Sequence, residues 1–289
     1  MGNIVFLLLL AVSVLNPISS YSYQYKLSIC AIFQDEAPYL KEWIDYHRKV
    51  GVEYFWLYNN NSADNYKEIL APYIEEGIVV LTEWPSEIKS HEFNHFCYTV
   101  QLGAYNHCLD KARGVTKWLA LIDTDEFIVP MHTKNIADLL EGKFRYASGL
   151  CVNWQLYGTS NVECIQTNES LLEKLTWKAR WDYEENKYYK SIVKPYHVKK
   201  AIDPHFCEYA KSYYSVNPNF ERMGRKGKSN SICIDEIRIN HYWTRDLWYL
   251  HNVKIPRRQK WGAGPDDILK RASKLNDEYD ASILRWMAN

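Results

Sequence analysis

Two aspartates separated by one residue, Asp123 and Asp125, directly follow a short apolar run at residues 118–122. In an extended backbone, residues i and i+2 point to the same side, so both carboxylates can reach one hard divalent cation. Such an ion bridges the phosphates of a nucleotide-sugar and neutralises the departing diphosphate. Acidic triplets are common in exposed turns, but the buried strand that precedes this one favours a site for Mn²⁺ or Mg²⁺.

His241 is predicted to complete this metal site, although it lies far along the chain. Two carboxylates leave a divalent ion short of protein ligands, and a manganese-class ion accepts imidazole nitrogen. Residues 234–239 alternate apolar and charged side chains in the manner of a strand, which would place His241 just past the strand end. The alternative is that His241 packs in an aromatic cluster with Tyr242 and Trp243.

The elements around the acidic pair alternate between strands and helices. Apolar runs predict strands at residues 26–33, 54–58, 78–81 and 118–122, and helical spacing predicts three helices between them, the last over residues 91–112. This alternation is typical of a doubly wound α/β sheet, in which ligands bind beyond the carboxyl ends of the strands. We therefore expect the loops at Asp35, Asp64 and Asp123 to converge on one edge of the sheet.

Composition limits the partners that this chain can have. Lys and Arg number 35, as do Asp and Glu, so no overall positive field draws the protein to nucleic acid. The 11 Trp and 23 Tyr residues suit sugar stacking and core filling equally. The 7 cysteines contain no C-x-x-C pair that would indicate a zinc ribbon, and their disulfide state stays open.

The chain is interpreted as one domain that follows a short amino-terminal segment. Residues 1–22 contain an apolar run too short to span a bilayer, which predicts a signal peptide although the usual positive charge is missing. A buried first element is the alternative. Residues 23–289 form the domain, with 23–148 as the nucleotide-sugar half and 149–289 as an acceptor-side elaboration. We expect an exported or envelope-associated protein, or otherwise a cytoplasmic one, with membrane association only through residues 1–22.

Blocks of residues in a fixed order resemble glycosyltransferase family 92 and the related family 2-like bacterial transferases. They are D-E-A-P-Y-L with E-W-I and Y-H (35–47), Y-N-N-N-S-A-D (58–64), I-D-T-D-E-F (122–127), N-W-x-x-Y-G (153–158), K-S-I-V-K-P (190–195) and H-Y-W-T-R (241–245). The chain departs from the family pattern at Asp35, at Asn59, and at Arg245 with Asp246. The resemblance implies a GT-A fold, a mixed Rossmann-like sheet flanked by helices, and an inverting transferase that uses a divalent metal and a UDP-sugar, often UDP-galactose.

Two acidic residues of the first half are candidate contacts to the base or ribose of the donor. Asp64 closes the 58–64 loop, and Glu36 follows the first predicted strand. Each has a structural alternative. Asp64 lies close to a helix start, where Asp often caps the helix, and Glu36 is suited to a first helical turn, where an acid complements the helix dipole.

The diphosphate and the sugar have further candidate contacts. Lys190 and Lys194 suit the diphosphate, and Trp154 suits a sugar-stacking wall, although solvated lysines and a packed tryptophan are the alternatives. Arg245 and Lys254 would offer positive charge to the phosphates from a carboxyl-terminal segment that is predicted to act as a closing flap.

An inverting transfer needs a base that takes the proton of the acceptor hydroxyl. Glu126 lies beside the acidic pair, while Asp203, His205 and Glu208 lie in a loop of the second half. Asp203 and Glu208 are the first candidates, because the attacking hydroxyl must come from the acceptor side.

The predicted function is transfer of a hexosyl group, galactosyl by resemblance, from a UDP-sugar to a glycan acceptor. A haloacid-dehalogenase-like phosphatase also places D-x-D after an apolar strand, but it normally carries Thr or Val where this chain has Phe127. A non-enzymatic carbohydrate-binding protein is the other alternative, and it would explain the aromatic content without needing the acidic pair.

Overall fold

The first half of the chain alternates strands with helices, as the hydrophobic pattern predicts. The computed structural model describes residues 22–86 and 96–287. Its elements here are β1 (Tyr25–Phe33), α1 (Ala37–Lys49), β2 (Tyr54–Asn59), α2 (Tyr66–Glu75), β3 (Val79–Glu83), a π-helical turn (Phe96–Gln101), α3 (Leu102–Ala112) and β4 (Thr116–Leu121). The apolar run within residues 1–22 and the start of the predicted helix 91–112 lie outside the described residues.

The second half consists mainly of short elements joined by longer loops. They are β5 (Glu126–Pro130), α4 (Ile136–Gly142), β6 (Gly149–Leu156), α5 (Leu171–Lys174), β7 (Trp177–Lys178), β8 (Tyr189–Val193), β9 (Val198–Ala201), β10 (Cys207–Tyr209), β11 (Ser215–Val216), β12 (Ile237–His241), α6 (Leu247–Tyr249), α7 (Ile255–Gln259), α8 (Pro265–Ala272) and β13 (Glu278–Tyr279). A π-helical turn (Leu250–Lys254) joins α6 to α7. Within residues 22–86 and 96–287, no helix is long and apolar enough to cross a membrane.

One mixed sheet runs through both halves of the described chain. Nine strands form it, in the order β3-β2-β1-β4-β8-β6-β12-β5 with β11 beside β6. The strands β1 to β4 are parallel to one another, whereas β8 runs antiparallel to both β4 and β6, and β5 runs antiparallel to β12. This architecture confirms the predicted α/β fold of a mixed sheet flanked by helices.

Strand β1 is the centre of the core because both of its faces are covered. Leu27, Ile29 and Ala31 belong to the apolar cluster that includes α1, α2 and α4. Cys30 and Ile32 point to the other face and join the cluster of α3, β9 and β10. Successive strand residues alternate between faces, so a strand covered on both sides needs the continuous apolar run that this sequence has.

Strand β12 begins later than the sequence pattern predicts and includes His241. The observed strand starts three residues later and ends two residues later than the strand predicted at 234–239. The backbone N–H of Cys233 donates to the Asn153 side chain and takes no part in a ladder. Pairing with β5 starts only at Ile237, opposite Pro130.

Candidate active site

A cleft of about 1000 Å³ opens beyond the carboxyl ends of β1, β2 and β4. The loops after these strands contribute Asp35, Asn60, Asp123 and Asp125 to its lining. Strand direction explains this convergence, because the carboxyl ends of parallel strands meet at one edge of a sheet. The second half lines the opposite side through Trp154, Lys190, His205, His241 and Lys254.

Asp123 is held by three donors from three different elements, the π-helical turn, α3 and β8. Its Oδ1 accepts hydrogen bonds from Gln101 Nε2 (2.8 Å) and Tyr105 OH (3.2 Å), and its Oδ2 accepts one from Lys190 Nζ (2.8 Å). Burial alone would lower the pKa of Lys190, but the nearby carboxylates of Asp123 and Glu126 outweigh burial and raise it. Lys190 therefore stays charged, and Asp123 is fixed in orientation. Gln101 and Tyr105 were not expected at the site, because nothing in a helical apolar pattern marks them.

Asp125 faces an imidazole and an ammonium group. His241 Nε2 lies 3.4 Å from Asp125 Oδ1, and Lys254 Nζ lies 3.5 Å from Oδ2. The pairing of β12 with β5 produces this contact, because it places His241 opposite Glu126, and Tyr242 N then donates to the Asp125 carbonyl (2.9 Å). Burial alone would raise the pKa of Asp125, but His241 and Lys254 hold it well below its usual value. The structure thus brings His241 to the acidic pair as the sequence predicts.

Glu126 supports the acidic turn from beneath and has no exposed surface. Its Oε2 accepts the backbone N–H of Asp123 (2.8 Å) and lies 3.6 Å from Lys190 Nζ. Its Oε1 forms no hydrogen bond with any residue that the structure describes and lies 3.8 Å from His241 Nδ1. Burial raises the pKa of Glu126 well above its usual value. A buried carboxyl cannot meet an acceptor hydroxyl, so Glu126 positions the turn and is a poor candidate for the base.

The donor atoms at this turn suit a divalent cation, although no metal cage is preassembled. Asp123, Asp125 and His241 offer carboxylate oxygens and an imidazole, which manganese-class ions accept. Burial lowers the pKa of His241, so the ring is neutral and fit for coordination. Within the described residues no three His, Cys, Asp or Glu side chains stand in metal-binding geometry. Each carboxylate instead faces a lysine, Asp123 with Lys190 and Asp125 with Lys254.

Glu36 and Arg245, both predicted to contact the donor, pair with each other. The Arg245 guanidinium donates to the Glu36 carboxylate, and its side chain is 1% exposed. The guanidinium lies between the rings of Tyr39 (3.5 Å) and Tyr249 (4.5 Å). A buried charge requires a partner of opposite charge, and Glu36 and Arg245 each provide that partner for the other. Glu36 reaches the cleft wall, whereas Arg245 does not line the cleft.

Asp64 is engaged in capping a helix. Its Oδ2 accepts the backbone N–H of Ala37 (2.7 Å), the first residue of α1, and Asp64 does not line the cleft. Asp35 lines the cleft in its place, and its Oδ1 accepts the N–H of Ala63 (2.7 Å). These two hydrogen bonds tie the loop after β1 to the loop after β2. The alternative that Asp64 caps the helix that follows it is wrong, because α2 begins after Asn65 without a side-chain cap and Asp64 instead accepts from the first residue of α1.

Lys194 and Glu208 also lie outside the cleft. Strand β8 is antiparallel to β4, so its start at Lys190 meets the acidic turn while Lys194 lies at the opposite edge. There the Lys194 ammonium lies over the Trp118 ring (4.6 Å). Glu208, on β10, faces Lys199 (3.9 Å) and Arg225 (3.7 Å). Neither residue is placed to contact a ligand in the cleft.

The acceptor-side wall is a cluster of rings that includes Trp154. The Trp154 ring lies 4.4 Å from His241, 5.2 Å from His205 and 5.2 Å from Tyr188. Asp203 lines the same wall, and Tyr98 OH donates to its Oδ2 (3.3 Å). A flat apolar face beside polar atoms suits the binding of a sugar.

Cations of the carboxyl-terminal segment line the remaining wall. Lys254, Arg257, Arg258 and Lys260 all face the cleft. The pKa of Lys254 is lowered to about 7 because burial, helped by the charges of Arg258 and Arg257, outweighs the opposing effect of Asp125. Crowding of like charges in a buried wall is unfavourable until an anion binds there.

The comparisons with known proteins agree with this geometry. The model of glycosyltransferase family 92 matches residues 24–221. A glycosyltransferase family 92 protein of Arabidopsis thaliana is 29% identical over 249 residues, which cover 81% of this chain and 38% of that protein. A β-1,4-galactosyltransferase of Caenorhabditis elegans is 27% identical over 129 residues, which cover 42% of this chain and 30% of that protein.

Two further similarities are more distant or more local. A galactan β-1,4-galactosyltransferase of A. thaliana is 31% identical over 111 residues, covering 37% of this chain and 21% of that protein. The crystal structure of S. aureus TarS 1-349 in complex with UDP-GlcNAc matches with a TM-score of 0.36 and 12% identity, covering 86% of this chain and 71% of that one. The chain spans about two fifths or less of the length of the A. thaliana and C. elegans relatives. The family assignment favours a transferase over a phosphatase or a lectin. Because the family model covers more than half of the sequence, the chain belongs to glycosyltransferase family 92.

Proposed function

We propose that the chain transfers a galactosyl group from UDP-galactose to a glycan acceptor, with inversion and with the help of Mn²⁺ or Mg²⁺. The observation that carries this proposal is the meeting of Asp123, Asp125 and His241 with Lys190 and Lys254 in one cleft. A diphosphate needs positive charge from lysines, a metal or both, and the cleft brings two lysines together with side chains that could bind a metal.

The two sides of the cleft suggest how a donor would lie. The β1 and β2 loops, with Asp35 and Asn60, would take the nucleoside, because they lie at the edge where α/β sheets bind nucleotides. Lys190 and Lys254 would face the diphosphate. A bound divalent ion would neutralise the leaving diphosphate, and Asp123, Asp125 and His241 would hold that ion. The ring wall at Trp154 would then receive the transferred sugar and its acceptor.

The choice of sugar rests on the relatives. Two proteins similar to part of this chain are named β-1,4-galactosyltransferases, and one of them acts on galactan by its name. These names support galactose as the transferred sugar and a galactose-containing oligosaccharide as a first acceptor. Inversion is part of the proposal because the resemblance to the family implies it.

A panel assay tests this proposal. The chain is incubated with Mn²⁺, a galacto-oligosaccharide and one of UDP-galactose, UDP-glucose, UDP-GlcNAc or GDP-mannose, and nucleoside diphosphate release is measured. UDP-galactose should give the fastest release. Asp125→Asn should lower turnover by about 100-fold or more, since metal assistance contributes several kcal/mol. The matched control Lys194→Met, on the opposite edge of the sheet, should keep normal turnover. Near-normal turnover of Asp125→Asn at saturating Mn²⁺ contradicts the proposal.

We also propose that residues 1–22 export the chain, because an apolar run with small residues after it is typical of a signal peptide. Cell fractionation with amino-terminal sequencing of the recovered protein tests this. A protein in the cytoplasmic fraction that retains residues 1–22 contradicts it.

A further inference from the structure

His205 lies in the cleft with one ring nitrogen committed and the other unengaged. Its Nδ1 lies 2.8 Å from the carbonyl oxygen of Tyr189, and a carbonyl only accepts hydrogen bonds. The proton must therefore be on Nδ1. This fixes the tautomer of a neutral ring. Nε2 then carries a lone pair and can only accept a proton or a hydrogen bond.

The loop that carries His205 is fastened at further points. Ser191 Oγ donates to the His205 carbonyl (2.7 Å), and the His205 N–H donates to Asp203 Oδ1 (2.9 Å). The ring lies 5.2 Å from Trp154 and 5.4 Å from Tyr188. These contacts hold the imidazole in one orientation within the ring wall, as a group that acts on a substrate requires.

Nε2 of His205 has access to the cleft. No described residue forms a hydrogen bond with it, and it is not among the polar atoms that are buried without a partner. Burial, together with the nearby charge of Lys190, lowers the pKa of His205 to about 4. The ring is therefore neutral at physiological pH. Its basicity then matches that of an ordinary aspartate, whose pKa is about 3.9.

The other candidate bases are less well placed. Glu126 has no exposed surface, and Glu208 does not line the cleft. Asp203 lines it, but Oδ1 accepts the His205 N–H and Oδ2 accepts Tyr98 OH. Asp203 is thus suited to hold the His205 loop and to stabilise positive charge on the ring.

We propose that His205 is the general base that deprotonates the acceptor hydroxyl, an inference that rests on the proposed transferase function. The acceptor oxygen forms a bond to the anomeric carbon of the donor sugar, and the bond from that carbon to the diphosphate oxygen breaks. The electron pair of the broken bond stays on the departing diphosphate. The hydroxyl proton passes to Nε2, and the imidazolium then releases it to solvent. Asp203 is the positioning residue in this scheme, and Trp154 with Tyr188 forms the surface for the acceptor sugar.

Two substitutions of His205 test the proposal, with His197 as the matched control. His205→Gln keeps a polar side chain without a basic nitrogen, and His205→Ala opens space for an added base. His197→Gln alters a histidine that stacks on Tyr213 (3.8 Å) and does not line the cleft. We expect His205→Gln to lower kcat by about 100-fold or more, the usual contribution of a general base. Its Kd for UDP should stay within about twofold of that of the parent protein, and His197→Gln should leave both quantities unchanged.

Chemical rescue separates a base from a structural side chain. Imidazole added to His205→Ala should restore turnover at least about tenfold, whereas pyrrole, which has a similar shape but no basic lone pair, should not. The proposal is overturned if His205→Gln keeps kcat within about threefold of the parent value, or if imidazole restores no more turnover than pyrrole. If the parent protein neither binds UDP nor releases it from any UDP-sugar, the proposed function fails instead, independently of His205.

Discussion

Replacing Arg245 with methionine should destabilise the protein without weakening its binding of a nucleotide. The substitution leaves the Glu36 carboxylate, 5% exposed, without its cationic partner. Breaking a buried ion pair by removing one partner usually costs about 3–5 kcal/mol. Within residues 22–86 and 96–287, Nε and Nη1 of Arg245 have no hydrogen-bond partner, so the pair is incompletely satisfied in the parent protein. We therefore expect the lower end, about 3 kcal/mol.

Thermal and urea unfolding measure this cost. A loss of about 3 kcal/mol lowers Tm by about 5 °C in a chain of this size. The double variant Glu36→Leu, Arg245→Met should recover at least half of the loss, because it removes the unpaired carboxylate as well. Calorimetry should give the same Kd for UDP in Arg245→Met and in the parent protein.

The opposite pattern would refute this reasoning. If Arg245→Met unfolds within about 1 kcal/mol of the parent protein and binds UDP tenfold more weakly, Arg245 contacts the donor, as the sequence pattern alone suggests.

Three further predictions follow from single contacts. Asp64→Ala should cost about 1 kcal/mol of unfolding free energy through the lost cap on α1, with unchanged UDP affinity; weaker UDP binding at unchanged stability would contradict this. His241→Ala should weaken Mn²⁺-dependent UDP binding by about tenfold in calorimetry, and unchanged Mn²⁺ dependence would remove His241 from the site. Burial lowers the pKa of Lys254 to about 7, so its charge is lost as pH rises through that value. Metal-free UDP affinity should then fall between about pH 7 and 9, and Lys254→Arg, which keeps its charge, should abolish that slope.

The framework of the fold is readable from the sequence because apolar runs and helical spacing are local signals. The four strands from β1 to β4 lie within two or three residues of the predicted runs. Because β4 ends just before the acidic turn, the sequence alone is enough to place Asp123 at the carboxyl edge of the sheet. The proximity of His241 to Asp125 was also predictable, because two carboxylates leave a divalent ion in need of further ligands.

The errors arise where a side chain's partner comes from a distant part of the chain. Nothing near Arg245 in the sequence indicates that Glu36 is its partner, and nothing near Asp64 indicates that it caps α1. The placement of Lys194 depends on the direction of β8. The apolar pattern of a short strand does not indicate its direction in the sheet. The sequence therefore does not tell which of Lys190 and Lys194 meets the acidic turn. The tautomer of His205 is likewise set by a carbonyl of β8, 16 residues earlier.

The most direct test of the account is calorimetric titration of UDP into the parent protein and into Asp125→Asn, each with and without Mn²⁺. We expect Mn²⁺ to tighten UDP binding to the parent protein by at least about tenfold, or 1.4 kcal/mol, and Asp125→Asn to lose this gain while remaining folded. Equal UDP affinity of the two proteins in the presence of Mn²⁺ would contradict the central claim that the acidic turn binds the metal-bound diphosphate of the donor.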